Sequence, residues 1–162
     1  MHSPVVIVDM VRSSTAGDTL QETRRFRLVV ADDHPDMRQE IRHLLDTEFE
    51  VLRAVGDGAA LLHATTELRP DAVISDIQMP GMDGIEAGTQ MLLRGVCQAI
   101  IVLSMHPDRH LVQTALKAGI RAYVLKLDAC DELIPAIYAA LRGERYLSAG
   151  VRSRSNILPN LT

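Results

Sequence analysis

Between residues 26 and 141 one alternation recurs five times: a short, largely apolar run, a polar break, then apolar residues at helical spacing. The runs are FRLVVA (26–31), FEVLRAVG (49–56), residues 71–75, QAIIVLS (98–104) and RAYVLK (121–126). Met37, Ile41, Leu44 and Leu45 share one helical face after the first run. A helix from Ala59 to Leu68 follows the second, closed off by Pro70, and one over 84–94 follows the third. Leu111, Val112, Ala115 and Leu116 mark a helix that stops at Gly119; Leu133, Ile134, Ile137 and Leu141 mark the last. Five strands alternating with five helices imply right-handed crossovers and a parallel sheet covered on both faces. The expected fold is therefore α/β, a doubly wound five-stranded parallel sheet in a three-layer sandwich.

The strand ends carry the chemistry. Asp32 and Asp33 close the first run, Asp76 the third, Ser104 the fourth and Lys126 the fifth. Open α/β sheets gather their sites at the carboxyl ends of strands, near the point where strand order reverses, so all five polar groups belong on one edge. Converging carboxylates raise one another's pKa unless a cation intervenes. An oxygen-only donor set suits a hard ion, and Mg²⁺ is usually held by one or two carboxylates, waters and a phosphate oxygen. A lysine and a hydroxyl opposite the acids supply donors for a phosphoryl group, whose transfer needs mainly positioning and charge neutralisation. Asp76, in the middle, is the candidate nucleophile for an acyl phosphate.

Charge is unevenly spread. Residues 26–141 carry seventeen acids against ten lysines and arginines, whereas 142–162 carry Arg142, Arg145, Arg152 and Arg154 against Glu144. An acidic body does not bind nucleic acid through bulk charge. No apolar run approaches the roughly 20 residues of a membrane span, and VVIV at 5–8 is too short for a signal segment and is interrupted by Asp9, so a cytoplasmic protein with no membrane partner is expected. Cys97 and Cys130 lack metal-binding spacing and read as two small core hydrophobes. Residues 1–24, with RSSTAGDT at 12–19, suit a mobile extension, and 148–162 read as a linker-like tail.

VVADDHPDMR, DAVISDIQMPGMDGIEA, IIVLSMHPDRHLVQTALKAGIRAYVLK and GERYLS together resemble the receiver domain of bacterial two-component response regulators, over about residues 25–147. The chain is most similar to receivers joined to a LuxR-type helix-turn-helix. The resemblance implies a flavodoxin-like (βα)5 fold and a phospho-accepting signalling domain rather than an enzyme. It implies Asp76 as phosphoacceptor, fed by a sensor histidine kinase, with Mg²⁺ held by the Asp33 and Asp76 side chains, the Gln78 backbone carbonyl and, through water, Asp32. It further implies Ser104 as switch hydroxyl, Tyr123 as switch aromatic and Lys126 as the conserved lysine of the family. In that switch Ser104 turns to a phosphoryl oxygen, and Tyr123, able to lie outward or swing inward, can enter the vacated space. The face made by the helix at 108–118, strand five and the helix at 130–142 is then the expected contact for a partner or a homodimer.

The ending departs from the LuxR pattern. No second helical pattern follows GERYLS, so DNA binding would belong to an output domain absent from these residues. The chain therefore reads either as a stand-alone receiver acting through protein contacts or as the regulatory part of a transcription factor. Lys126 is followed by Leu127 where many receivers carry proline, which leaves the isomer of that bond open. A haloacid dehalogenase-type phosphatase would need a second acid two residues after its nucleophile; Asp32 is followed there by His34 and Asp76 by Gln78. A flavodoxin-like FMN binder would meet repulsion from DDHPD after strand one. His34 reads as a helix-starting residue rather than a ligand. His106 and His110 are spaced like zinc ligands but lack an evident third, and Met79 and Met82 read as loop packing.

Overall fold

The computed structural model describes residues 24–155. Strands β1 (Arg27–Ala31), β2 (Glu50–Val55), β3 (Ala72–Asp76), β4 (Ala99–Ser104), β5 (Ala122–Leu125) and β6 (Tyr146–Leu147) form one parallel sheet in the order β2-β1-β3-β4-β5-β6. The helices are α1 (Pro35–Asp46), α2 (Gly58–Leu68), α3 (Gly84–Arg94), α4 (Arg109–Ala118), α5 (Ala129–Leu141) and α6 (Ala149–Ser155), with a 3-10 turn at Lys126–Asp128. Strand order reverses at β1, where one crossover runs to β2 and the next to β3.

Two cores result, one on each face of the sheet. Leu28, Val30, Ile74, Ile101 and Val124 point toward α1 and α5, where they meet Ile41, Leu45, Leu133 and Ile137. Val29, Val73, Ile100 and Val102 point the other way, toward Leu61 of α2, Met91 of α3 and Val112 of α4. That two-residue alternation is why β3 and β4 are buried along their whole length. Three helices start at a capping aspartate. Asp57, Asp83 and Asp108 cap α2, α3 and α4 by accepting from the backbone of Ala60, Glu86 and Leu111. Gly95 and Gly119 end α3 and α4 in the left-handed conformation.

The expected parallel sheet is present, with additions and differences at its edge. The sheet has a sixth strand, and order continues past residue 147: α6 packs on the sheet with Val151 fully buried. Arg24 opens the described residues without secondary structure, and the rest of the proposed N-terminal extension (1–23) lies outside them, as do residues 156–162. β6 pairs with the outer edge of β5, so the helix–strand–helix face expected for a homodimer is partly covered by the chain's own residues. Cys97 is buried as expected, but Cys130, in the first turn of α5, is exposed. No peptide bond among the described residues is cis, so Lys126–Leu127 is trans.

Candidate functional site

β1 and β3 are neighbours, with Ala31 opposite Ser75, so the chain emerges from both side by side and sets Asp32 and Asp33 next to Asp76. The loop after Asp76 must turn back sharply into α3. Gly84 makes this possible: a Cβ there would lie 2.1 Å from the Asp76 carbonyl oxygen and 2.9 Å from Ser75 Oγ. The Gly84 N–H instead donates to the Ile77 carbonyl at 2.8 Å, which packs the start of α3 against the aspartate. On the far side, β5 ends at Leu125 and sends Lys126 back across the end of β4.

Lys126 answers the acids. Its Nζ lies 3.1 Å from Asp76 Oδ2 and 3.1 Å from Asp32 Oδ2, and all three side chains are buried. Asp32 Oδ1 accepts the His34 backbone N–H at 2.9 Å, and Asp76 Oδ1 accepts that of Gln78 at 3.3 Å. Burial pushes the Asp76 carboxyl above its usual range, opposed by the charge and hydrogen bond of Lys126. For Lys126 burial works toward a lower value, but the charges of Asp76 and Asp32 outweigh it and the net shift is upward. The ammonium stays charged.

One lysine does not balance three carboxylates. Asp33 Oδ1 is sealed from solvent and accepts no hydrogen bond; the exposed His34 ring lies beside it, Nδ1 at 3.1 Å. Ligand atoms of Asp32, Asp33, His34 and Asp76 all lie within 4.8 Å of one another. A buried, unsatisfied carboxylate oxygen in an oxygen-rich cluster fits a hard divalent cation.

Ser104 and Tyr123 converge on a backbone group. Ser104 Oγ donates to the His106 carbonyl at 3.0 Å and accepts its N–H at 3.1 Å. Tyr123 OH donates to the same carbonyl at 3.2 Å. The Tyr123 ring is wholly buried in the core beneath α4, the inward of the two positions open to it. Burial raises its phenol pKa, the Ser104 hydroxyl lowers it and Asp108 raises it further.

Asp32, Asp33, Asp76 and Lys126 thus meet at one edge, while Ser104, at the end of neighbouring β4, bonds instead to His106. Other participants were missed. The His34 ring, set aside as a helix starter, faces the acid pair, and only its adjacency in DDHP signalled this. The backbone N–H of Gln78 and the carbonyl of His106 carry no side-chain signature. Met79 and Met82 do pack around the loop, Met79 buried and Met82 partly so.

A parallel, doubly wound sheet with an acid cluster at its switch point and a lysine across from it is the architecture of a signal-receiving domain. Residues 28–138 match the response regulator receiver domain family, and the chain belongs to that family. The chain is 32% identical over 125 residues to the transcriptional regulatory protein DegU of Brevibacillus brevis, covering 76% of this chain and 53% of that protein. It superposes with a TM-score of 0.75, at 30% identity, on a LuxR-family two-component response regulator from Aurantimonas sp. SI85-9A1, covering 82% of this chain and 96% of that one. The RcsB response regulator of Salmonella typhimurium, solved in a study of its interaction with DNA, matches with a TM-score of 0.74 at 26% identity, over 83% of this chain and 69% of that one. The chain spans little more than half the length of the first of these relatives.

Proposed function

We propose that Asp76 accepts a phosphoryl group from a sensor histidine kinase and that the phosphorylated domain switches the output of a LuxR-type transcription regulator. The single observation that carries this reading is the Lys126 ammonium held 3.1 Å from both Asp76 and Asp32 beside the unsatisfied Asp33 oxygen. An oxygen of Asp76 attacks phosphorus, the bond from phosphorus to the donor's nitrogen or acyl oxygen breaks, and the donor leaves with that electron pair. Lys126 meets the charge that the phosphoryl group brings to the buried edge, and Ser104 can turn from the His106 carbonyl to donate to a phosphoryl oxygen. Asp33, Asp76, the Gln78 carbonyl and, through water, Asp32 would hold Mg²⁺. When bound, the ion supplies positive charge against the phosphoryl oxygens.

Catalysis here is limited to self-phosphorylation from small donors and loss of the phosphate, which makes the domain a switch rather than an enzyme acting on a separate substrate. Control of transcription belongs to the longer proteins of which this chain matches a part. A cytoplasmic location accords with a kinase donor; no helix among the described residues is long and apolar enough to cross a membrane. Incubation with acetyl phosphate and Mg²⁺ should add one phosphate by intact mass, lost with EDTA and lost in Asp76→Asn. Full labelling of Asp76→Asn would overturn the assignment.

A further inference from the structure

The tail is fastened to the residues that flank Lys126. The buried Ser148 hydroxyl accepts the Leu125 backbone N–H at 3.0 Å and donates to Asp128 Oδ2 at 2.7 Å. Asp128 Oδ2 also accepts the Gly150 N–H at 2.9 Å. Two residues before Leu125, the Tyr123 carbonyl accepts the Ser148 N–H at 3.1 Å. Glu132 adds a second anchor, accepting the Tyr146 hydroxyl at 2.7 Å and the Ala149 N–H at 3.1 Å. The approach is so close that a Cβ on Gly150 would sit 2.5 Å from Leu125 Cδ1 and 2.8 Å from Asp128 Oδ2. Lys126 thus lies inside a loop whose two ends, Leu125 and Asp128, are tied to one serine hydroxyl.

We propose that Ser148 and Asp128 are positioning residues for Lys126, so that docking of residues 146–155 and phosphorylation of Asp76 oppose each other. The inference rests on the phosphoacceptor reading above. In the present geometry the clamp holds the loop where Nζ reaches both Asp76 and Asp32. A phosphoryl group on Asp76 moves negative charge to oxygens one P–O bond farther out. Lys126, following that charge, draws the 125–128 loop with it, and one hydroxyl can no longer serve both Leu125 and Asp128. Coupling of this kind is reciprocal: whatever phosphorylation costs the docked tail, the docked tail costs phosphorylation.

The test uses the full chain with acetyl phosphate and Mg²⁺, following phosphate by intact mass and the tail by amide hydrogen exchange over 147–155. Phosphorylated wild type should exchange these amides about fivefold faster than unphosphorylated protein. Ser148→Ala should exchange them fast in both states and reach a higher phosphorylated fraction at the same donor concentration. Damage to the fold alone would lower that fraction. Asp128→Ala should move both readouts in the same direction, which guards against a peculiarity of one variant. Labelled wild type with unchanged tail exchange, or variants that label no better than wild type, overturns the proposal. A wild type that takes no phosphate overturns the phosphoacceptor reading, and this inference falls with it.

Discussion

Asp76 is held at a cost to the fold. Burial lifts its carboxyl above the unfolded value of 3.8, with Lys126 pulling the other way. A group shifted in this direction stabilises the folded chain below its unfolded pKa and loses that contribution as pH rises through the folded one. Lys126 behaves differently: raised above 10.5, it contributes fully below that value and loses its contribution only above it. At neutral pH Asp76 is therefore the destabilising partner. Asp76→Asn should unfold at a higher urea concentration than wild type at pH 7, and the gap should shrink toward pH 4. A variant weaker than wild type at both pH values would mean that the lysine pair outweighs burial. The two thiols give a second contrast. Burial pushes Cys97 up to about 11, whereas Cys130 is exposed. Native protein at pH 8 should therefore give up one thiol quickly to a disulfide reagent, and Cys130→Ser should abolish that fast phase. At this scale the sequence was legible wherever function sits on a side chain at a strand end. It was silent on the Gln78 N–H and the His106 carbonyl, because backbone atoms are the same in every residue.

Each element shows what a local signal can and cannot carry. α2 announced itself through a stretch closed off by Pro70, and α4 through Leu111, Val112, Ala115 and Leu116 at helical spacing with a stop at Gly119. β6 and α6 did not. Two residues are too few for any periodicity, and AGVRSRS offers one apolar anchor, Val151. Their order comes from Asp128 and Glu132, about twenty residues away in sequence, and no reading of the tail alone could supply those partners. α3 illustrates the opposite case, in which one residue governs an element's placement. Gly84→Ala puts a methyl against the backbone of Asp76, where no flexible side chain can yield. It should cost about 1–3 kcal/mol, in the range of overpacked cores, and should slow phosphorylation, because α3 and Asp76 move apart together. Urea unfolding and the rate of mass gain with acetyl phosphate measure the two effects. Normal stability with normal rate would mean the loop re-forms freely.

For the molecule as a whole, the order of the strands explains why so few residues make the site. Reversal at β1 leaves β1 and β3 adjacent with their following loops diverging to opposite faces, and the gap between those loops is where the acids meet. The edge strand β2 and the strand next to the opposite edge, β5, differ. β2 carries the charged Glu50 and Arg53, and a register shift interrupts its pairing with β1 between Leu28 and Val29. β5 carries no charge at all: Ala122, Tyr123, Val124 and Leu125 are buried, with β4 on one side and the two residues of β6 as the cover on the other. An uncovered apolar strand edge is a template for another chain. A protein cut after Gly143 loses the cover together with Val151, whose burial is worth about 1.5–3 kcal/mol. It should scatter light increasingly with concentration while the intact chain stays clear. Two residues of strand and one short helix thus decide whether this sheet is a finite object or the seed of a growing one.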